Sequence, residues 1–149
     1  MNQLTMQMDY FHRFDTEFET YISALDGVDQ VEQKPNGIHI TYDPNKISIH
    51  RILLEIKLFL GLLKTPSLIG FDKHFQKASG QTSVIIEDAC CEYCVKSVVE
   101  DLILIDGIEK VSVAFQDDTF FQVSIQVMYD SNLFYDKKVK ELVEKLFSD

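Results

Sequence analysis

Positive charge is scarce in this sequence: 14 Lys and Arg stand against 24 Asp and Glu, a formal charge of −10. No basic stripe gathers those few cations, which excludes a phosphate-reading surface, so nucleic acid is not an expected partner. Long apolar runs are also lacking. Residues 52–63 come nearest, but they include Glu55 and Lys57 and are too few to cross a bilayer, so no membrane insertion is expected. The opening residues show no basic segment leading into an apolar one, which removes a secretory signal and makes the chain read as soluble and cytoplasmic. Cysteine is limited to three residues within five positions, Cys90, Cys91 and Cys94, which is not the pattern of a disulfide framework. Tryptophan is absent, yet a hydrophobic content of 46% over 149 residues is enough for one core or two small ones.

What is present is a repeat. With residue n set beside residue n+80, Leu25-Asp26-Gly27-Val28-Asp29-Gln30-Val31 falls on Ile105-Asp106-Gly107-Ile108-Glu109-Lys110-Val111, matching in kind at nearly every place. Further on, Ile38 to Asp43 resembles Ile125 to Asp130 at an offset of 87, which implies a longer hairpin in the second copy. In the first copy, residues 4–8 read as a strand, and Phe14, Phe18, Ile22 and Leu25 as one face of a helix closed by Gly27. Residues 30–34 and 37–42 read as a hairpin, Ser48 as the N-cap of a second helix ending before Pro66, and residues 68–71 as a last strand. The second copy repeats strand, helix, strand, strand and helix, with its last helix striped by Val139, Leu142, Val143, Leu146 and Phe147. The expected division is therefore residues 1–73, a polar linker at 74–81, and residues 82–149. With no fourth strand in the second copy, one sheet edge is left for something else to cover.

The three cysteines lie where a β-branched apolar strand, residues 82–86, runs into an amphipathic helix. Unpaired N–H groups and the helix dipole at such a junction favour thiolate over thiol. Cys91 and Cys94 on one loop and first turn are candidate thiolates for one soft ion, Cu(I) or Zn(II). Cys90 is a candidate third sulfur and Asp88 a candidate oxygen ligand, a set that suits Zn(II) or Cd(II). A structural reading stands beside this one, with Cys94 packed inward and Cys90 as a small half-buried side chain. The four histidines all fall outside the cysteine cluster. A separate feature is the helix after Ser48, apolar on two sides: beyond its core face, Leu54, Leu58 and Leu62 form a second stripe, expected to pack on the other copy or on another subunit.

Together these segments resemble a tandem of heavy-metal-associated domains, the ferredoxin-like module of copper chaperones and of the cytosolic tails of soft-metal ATPases. Cys91 and Cys94 occupy the two cysteine places of that family's Gly-Met-Xaa-Cys-Xaa-Xaa-Cys loop. The run from Ile105 to Val113 is similar to its helix-to-strand passage, and Tyr42 to Ser48 to its turn into the second helix. The resemblance implies two ferredoxin-like β-α-β-β-α-β sandwiches of α+β class, the second without its last strand. It further implies a non-enzymatic chaperone or buffer for copper(I), or for zinc or cadmium, and a metal-transporting ATPase or other thiol acceptor as partner. The chain departs from the pattern in two ways: Asp88 and Ala89 replace the loop's Gly and Met, and Phe11 and Phe14 stand at the cysteine places of the first copy. Two other functions fit the same residues, a metal-free interaction or sensor module, homodimeric among other options, and a dithiol oxidoreductase cycling Cys91 and Cys94.

Overall fold

A computed structural model of the chain describes residues 1–8, 16–34, 37–60, 68–87, 92–115 and 122–148. The elements run β1 (Asn2–Met8), α1 (Thr16–Ser23), β2 (Val28–Lys34), β3 (Gly37–Tyr42), α2 (Ile49–Leu60), β4 (Leu68–Asp72), β5 (Gly80–Ile86), α3 (Glu92–Ile103), β6 (Ile108–Phe115), β7 (Val123–Tyr129) and α4 (Asp136–Ser148). Two α+β units of ferredoxin-like order are present, βαββαβ followed by βαββα. They share one antiparallel sheet of seven strands, ordered β2-β3-β1-β4-β6-β7-β5. The join is β4 against β6, with Gly70, Phe71 and Asp72 opposite Ser112, Val111 and Lys110.

Alternation along the strands gives the sheet one buried face. Cross-strand register places Ile38, Met6, Phe71, Val111, Val127 and Thr82 in one row over six strands, all buried. The helices press their apolar stripes on this face: Phe18 and Ile22 of α1, Ile52 and Ile56 of α2, Val95, Val99 and Leu102 of α3, and Val139 and Val143 of α4 join one continuous core. The next row, on the other face, runs Glu32, His39, Thr5, Asp72, Lys110 and Met128 and is polar for most of its length.

The repeat read from the sequence reappears as repeated hydrogen bonds. After α1 the Val28 amide donates to Leu25 O at 3.1 Å, and after α3 the Ile108 amide donates to Ile105 O at 3.1 Å. Asp43 N donates to Gly27 O at 2.7 Å, and Asp130 N to Gly107 O at 2.8 Å. Both turns need glycine, because Gly27 has φ +102° and Gly107 φ +95°, a left-handed backbone that costs other residues. Ser48 caps α2, its Oγ accepting from Arg51 N at 3.2 Å, a contact worth about 1 kcal/mol.

Candidate metal centre

Strand β5 delivers the chain to α3, and Cys94 is the third residue of that helix, half-buried in its first turn. Val95, Val98, Val99 and Leu102 anchor the helix in the core, so the end carrying Cys94 is held against the sheet. The Cys94 sulfur is disulfide-bonded. One bond is not a framework, and it engages a sulfur that the sequence reading takes as a free thiolate. A sulfur can ligate a soft ion only as the thiolate, so the disulfide would have to be reduced first. Cys90, Cys91 and Asp88, the other candidate ligands, lie outside the described residues, as do Phe11 and Phe14 at the corresponding places of the first copy. Around the described part of α3, Lys96 pairs with Glu100 at 3.9 Å, both largely covered.

The fold also gathers polar side chains that the sequence leaves scattered. On the open face of the sheet, Thr5 Oγ1 lies 2.8 Å from His39 Nδ1 and 2.6 Å from His74 Nε2. The two imidazole rings are 5.3 Å apart, edge to face. Asp72 holds His74 from the backbone, accepting its amide at 2.9 Å, and its other oxygen is 3.6 Å from Nδ1. Burial, and secondarily the neighbouring His74, keep His39 below the ordinary histidine range. No pattern in the sequence marks this cluster, since it joins β1, β3 and the residues after β4. Among the described residues, no group of three or more His, Cys, Asp or Glu side chains is arranged to hold a metal ion.

A second network lies between the copies. Lys73 is 3% exposed, and its Nζ donates to Ile105 O, in the turn after α3, at 3.1 Å. Burial lowers its pKa to about 8, against the opposing pull of Asp106 and Glu109. The Glu109 carboxylate accepts from the amides of Lys77 and Ala78, each at 3.0 Å, and its carbonyl accepts from Lys73 N at 3.0 Å. The stretch read from the sequence as a polar linker is thus tied to β6, and its last residues already belong to β5.

On α2, Leu54 is 51% exposed and Leu58 64%, while Leu62 lies outside the described residues. Among the described residues, Leu54 and Leu58 are thus left largely open to solvent rather than covered by the other copy.

No family model matches the chain, and no curated protein matches it either. Solved structures with some likeness include the N-terminal soluble domains of Bacillus subtilis CopA, at 17% identity and a TM-score of 0.37, covering 97% of this chain and 88% of that one. Another is the water-soluble region of the P-type ATPase CopA from Bacillus subtilis, at 20% identity and a TM-score of 0.39, covering 97% and 85%. Likeness at this level says nothing about function, which has to be read from the chain's own residues. No helix among the described residues is long and apolar enough to cross a membrane.

Proposed function

We infer that this chain carries one soft metal ion as cargo on the thiolates of Cys91 and Cys94, with no enzymatic turnover. The observation that supports the reading is the disulfide at Cys94: on reduction, a second sulfur stands next to a thiolate at the positive end of α3. Cu(I) is the favoured cargo, because two thiolates satisfy its preference for few, soft ligands. Zn(II) or Cd(II) would recruit Cys90 and Asp88 as well. Delivery proceeds by ligand exchange, in which a thiolate of the acceptor joins the ion before one of the donor's leaves. An acceptor must therefore present its own exposed cysteines, as a soft-metal-transporting ATPase or another thiol protein would. The 74–81 segment, tied to Glu109, serves to hold residues 1–73 against residues 82–149 so that the first copy acts as a docking or assembly surface.

A second reading, a metal-free interaction module, is favoured by one observation, the exposure of Leu54 and Leu58. An anaerobic titration of the reduced, metal-free chain with Cu(I) and with Zn(II), against competing chelators, separates the two. Tight one-to-one binding that disappears in the Cys91→Ser, Cys94→Ser double variant is the expected result. Binding no tighter than in that variant would favour the interaction module. Turnover of the cysteine pair with a dithiol donor would instead point to an oxidoreductase.

A further inference from the structure

We propose that His39 and His74, on the open face of the sheet, form a binding site for one divalent ion of the kind imidazole ligates, Zn(II) or Cu(II), separate from the cysteines. Cross-strand register builds it: Thr5 of β1 stands opposite His39 of β3 on one side and opposite Asp72 of β4 on the other. Two residues past Asp72 the backbone turns through the left-handed region, with His74 at φ +59°, and brings a second ring back over Thr5. His39 Nδ1 and His74 Nε2 thus converge on a single atom, Thr5 Oγ1, at 2.8 and 2.6 Å. Bonds from an imidazole nitrogen to zinc run about 2.0–2.1 Å, so an ion in the place of that hydroxyl asks each ring to close by less than about 1 Å. The hydroxyl gives way by rotation about one side-chain torsion.

The surroundings of the two rings suit ligation. Asp72 stands behind His74, one carboxylate oxygen 3.6 Å from Nδ1 while the other accepts the His74 amide at 2.9 Å. A carboxylate there favours the ring proton on Nδ1 and leaves Nε2 as a lone pair, the arrangement that orients metal-binding histidines and makes them more basic. His39 is half-buried, and burial keeps its pKa below the ordinary range, so its ring is neutral at neutral pH, as ligation requires. Without an ion, the Thr5 hydroxyl then donates to His74 Nε2 and accepts from His39 Nδ1–H. Ligation needs the His39 proton on Nε2 instead, a change of tautomer that leaves the ring uncharged. The chain supplies two nitrogens, and water on the open face completes the coordination. Asp72 offsets part of the ion's charge; Glu32, beside His39 in the same row, is already paired with Lys34 at 3.0 Å. Neutral nitrogen ligands favour Zn(II) or Cu(II) over Cu(I), which prefers sulfur. The site uses none of the cysteines, so it stands whatever Cys91 and Cys94 bind.

The full chain with Cys90, Cys91 and Cys94 changed to Ser leaves no thiolate to compete, so the result is separate from that of the thiolate reading. Calorimetric titration with Zn(II) alone at neutral pH is expected to show one ion bound. His39→Gln and His74→Gln, neither in the core, should each weaken binding about tenfold or more, and Asp72→Asn about tenfold through the ring it orients. His50→Gln, exposed on α2, should leave binding unchanged. With Cu(II) alone, the frozen-solution spin resonance should show two nitrogen ligands. In the native chain, which keeps its cysteines, Zn(II) should raise the melting midpoint by more than it does in the His39→Gln, His74→Gln double variant. No uptake up to millimolar Zn(II) overturns the proposal, and so does uptake that neither histidine variant weakens. A single nitrogen in the Cu(II) resonance, or equal rises in melting midpoint, overturns it as well.

Discussion

Lys73 shows what a single residue decides in this protein. Its ammonium is nearly buried and donates to Ile105 O, and burial lowers its pKa to about 8 from an ordinary 10.5. Between those values the unfolded chain binds a proton that the folded chain has released, so stability must rise with pH over that window and carry the cost of the buried charge below it. Tyr42, whose pKa is raised chiefly by burial, works in the opposite direction above pH 10, which makes pH 8 to 9.5 the useful range. Urea midpoints measured across it should climb for the native chain and climb less for Lys73→Met; parallel slopes would remove Lys73 as the cause. The sequence does not reveal this residue, because its partners come from the other copy and no local period links positions 73, 105 and 109. Gly27 and Gly107, by contrast, are legible, since a helix that must stop in a left-handed turn selects glycine locally.

At the scale of the element, α2 behaves as two surfaces. Ile52 and Ile56 are buried in the core, whereas Leu54 and Leu58 are exposed and Glu55, beside them in sequence, is buried, bonded to Tyr21 and Arg51. The stripe was legible as an excess of leucine, but its destination was not, because hydrophobic period tells which faces avoid water and not which neighbour supplies the cover. As exposed positions, Leu54→Glu and Leu58→Glu should shift stability by no more than about 0.5 kcal/mol each. Thermal melts of the native chain and the double variant test this, and a large loss of stability would mean that Leu54 and Leu58 are covered in solution. Helix α3 is the complementary case. Its junction with β5 was readable from β-branched residues giving way to a three-to-four repeat, and with it the place of Cys94. That Cys94 is engaged in a disulfide was not readable, since whether two sulfurs meet depends on the loop's path and not on their spacing.

For the whole molecule, the feature with the widest consequence is the β4 to β6 seam that makes one sheet of two units. A Cβ built on Gly70 would stand 2.4 Å from Val111 O, so the seam closes only because that residue has no side chain. Gly70→Ala should therefore cost about 1–3 kcal/mol, read as a lower denaturant midpoint, by forcing the strands apart. A midpoint equal to the native value would show that the strands can yield. The sequence by itself determined the order of the elements, both glycine-closed helix turns, the faces that β3 and β7 bury and the place of Cys94 at the start of a helix, because each depends on neighbours a few residues away. Only the tertiary structure decided that the two units share a sheet, that the 74–81 segment is bound to Glu109, and that Thr5 gathers His39 and His74. Those outcomes depend on pairings between residues some 30 to 70 positions apart, for which sequence pattern carries no period to read.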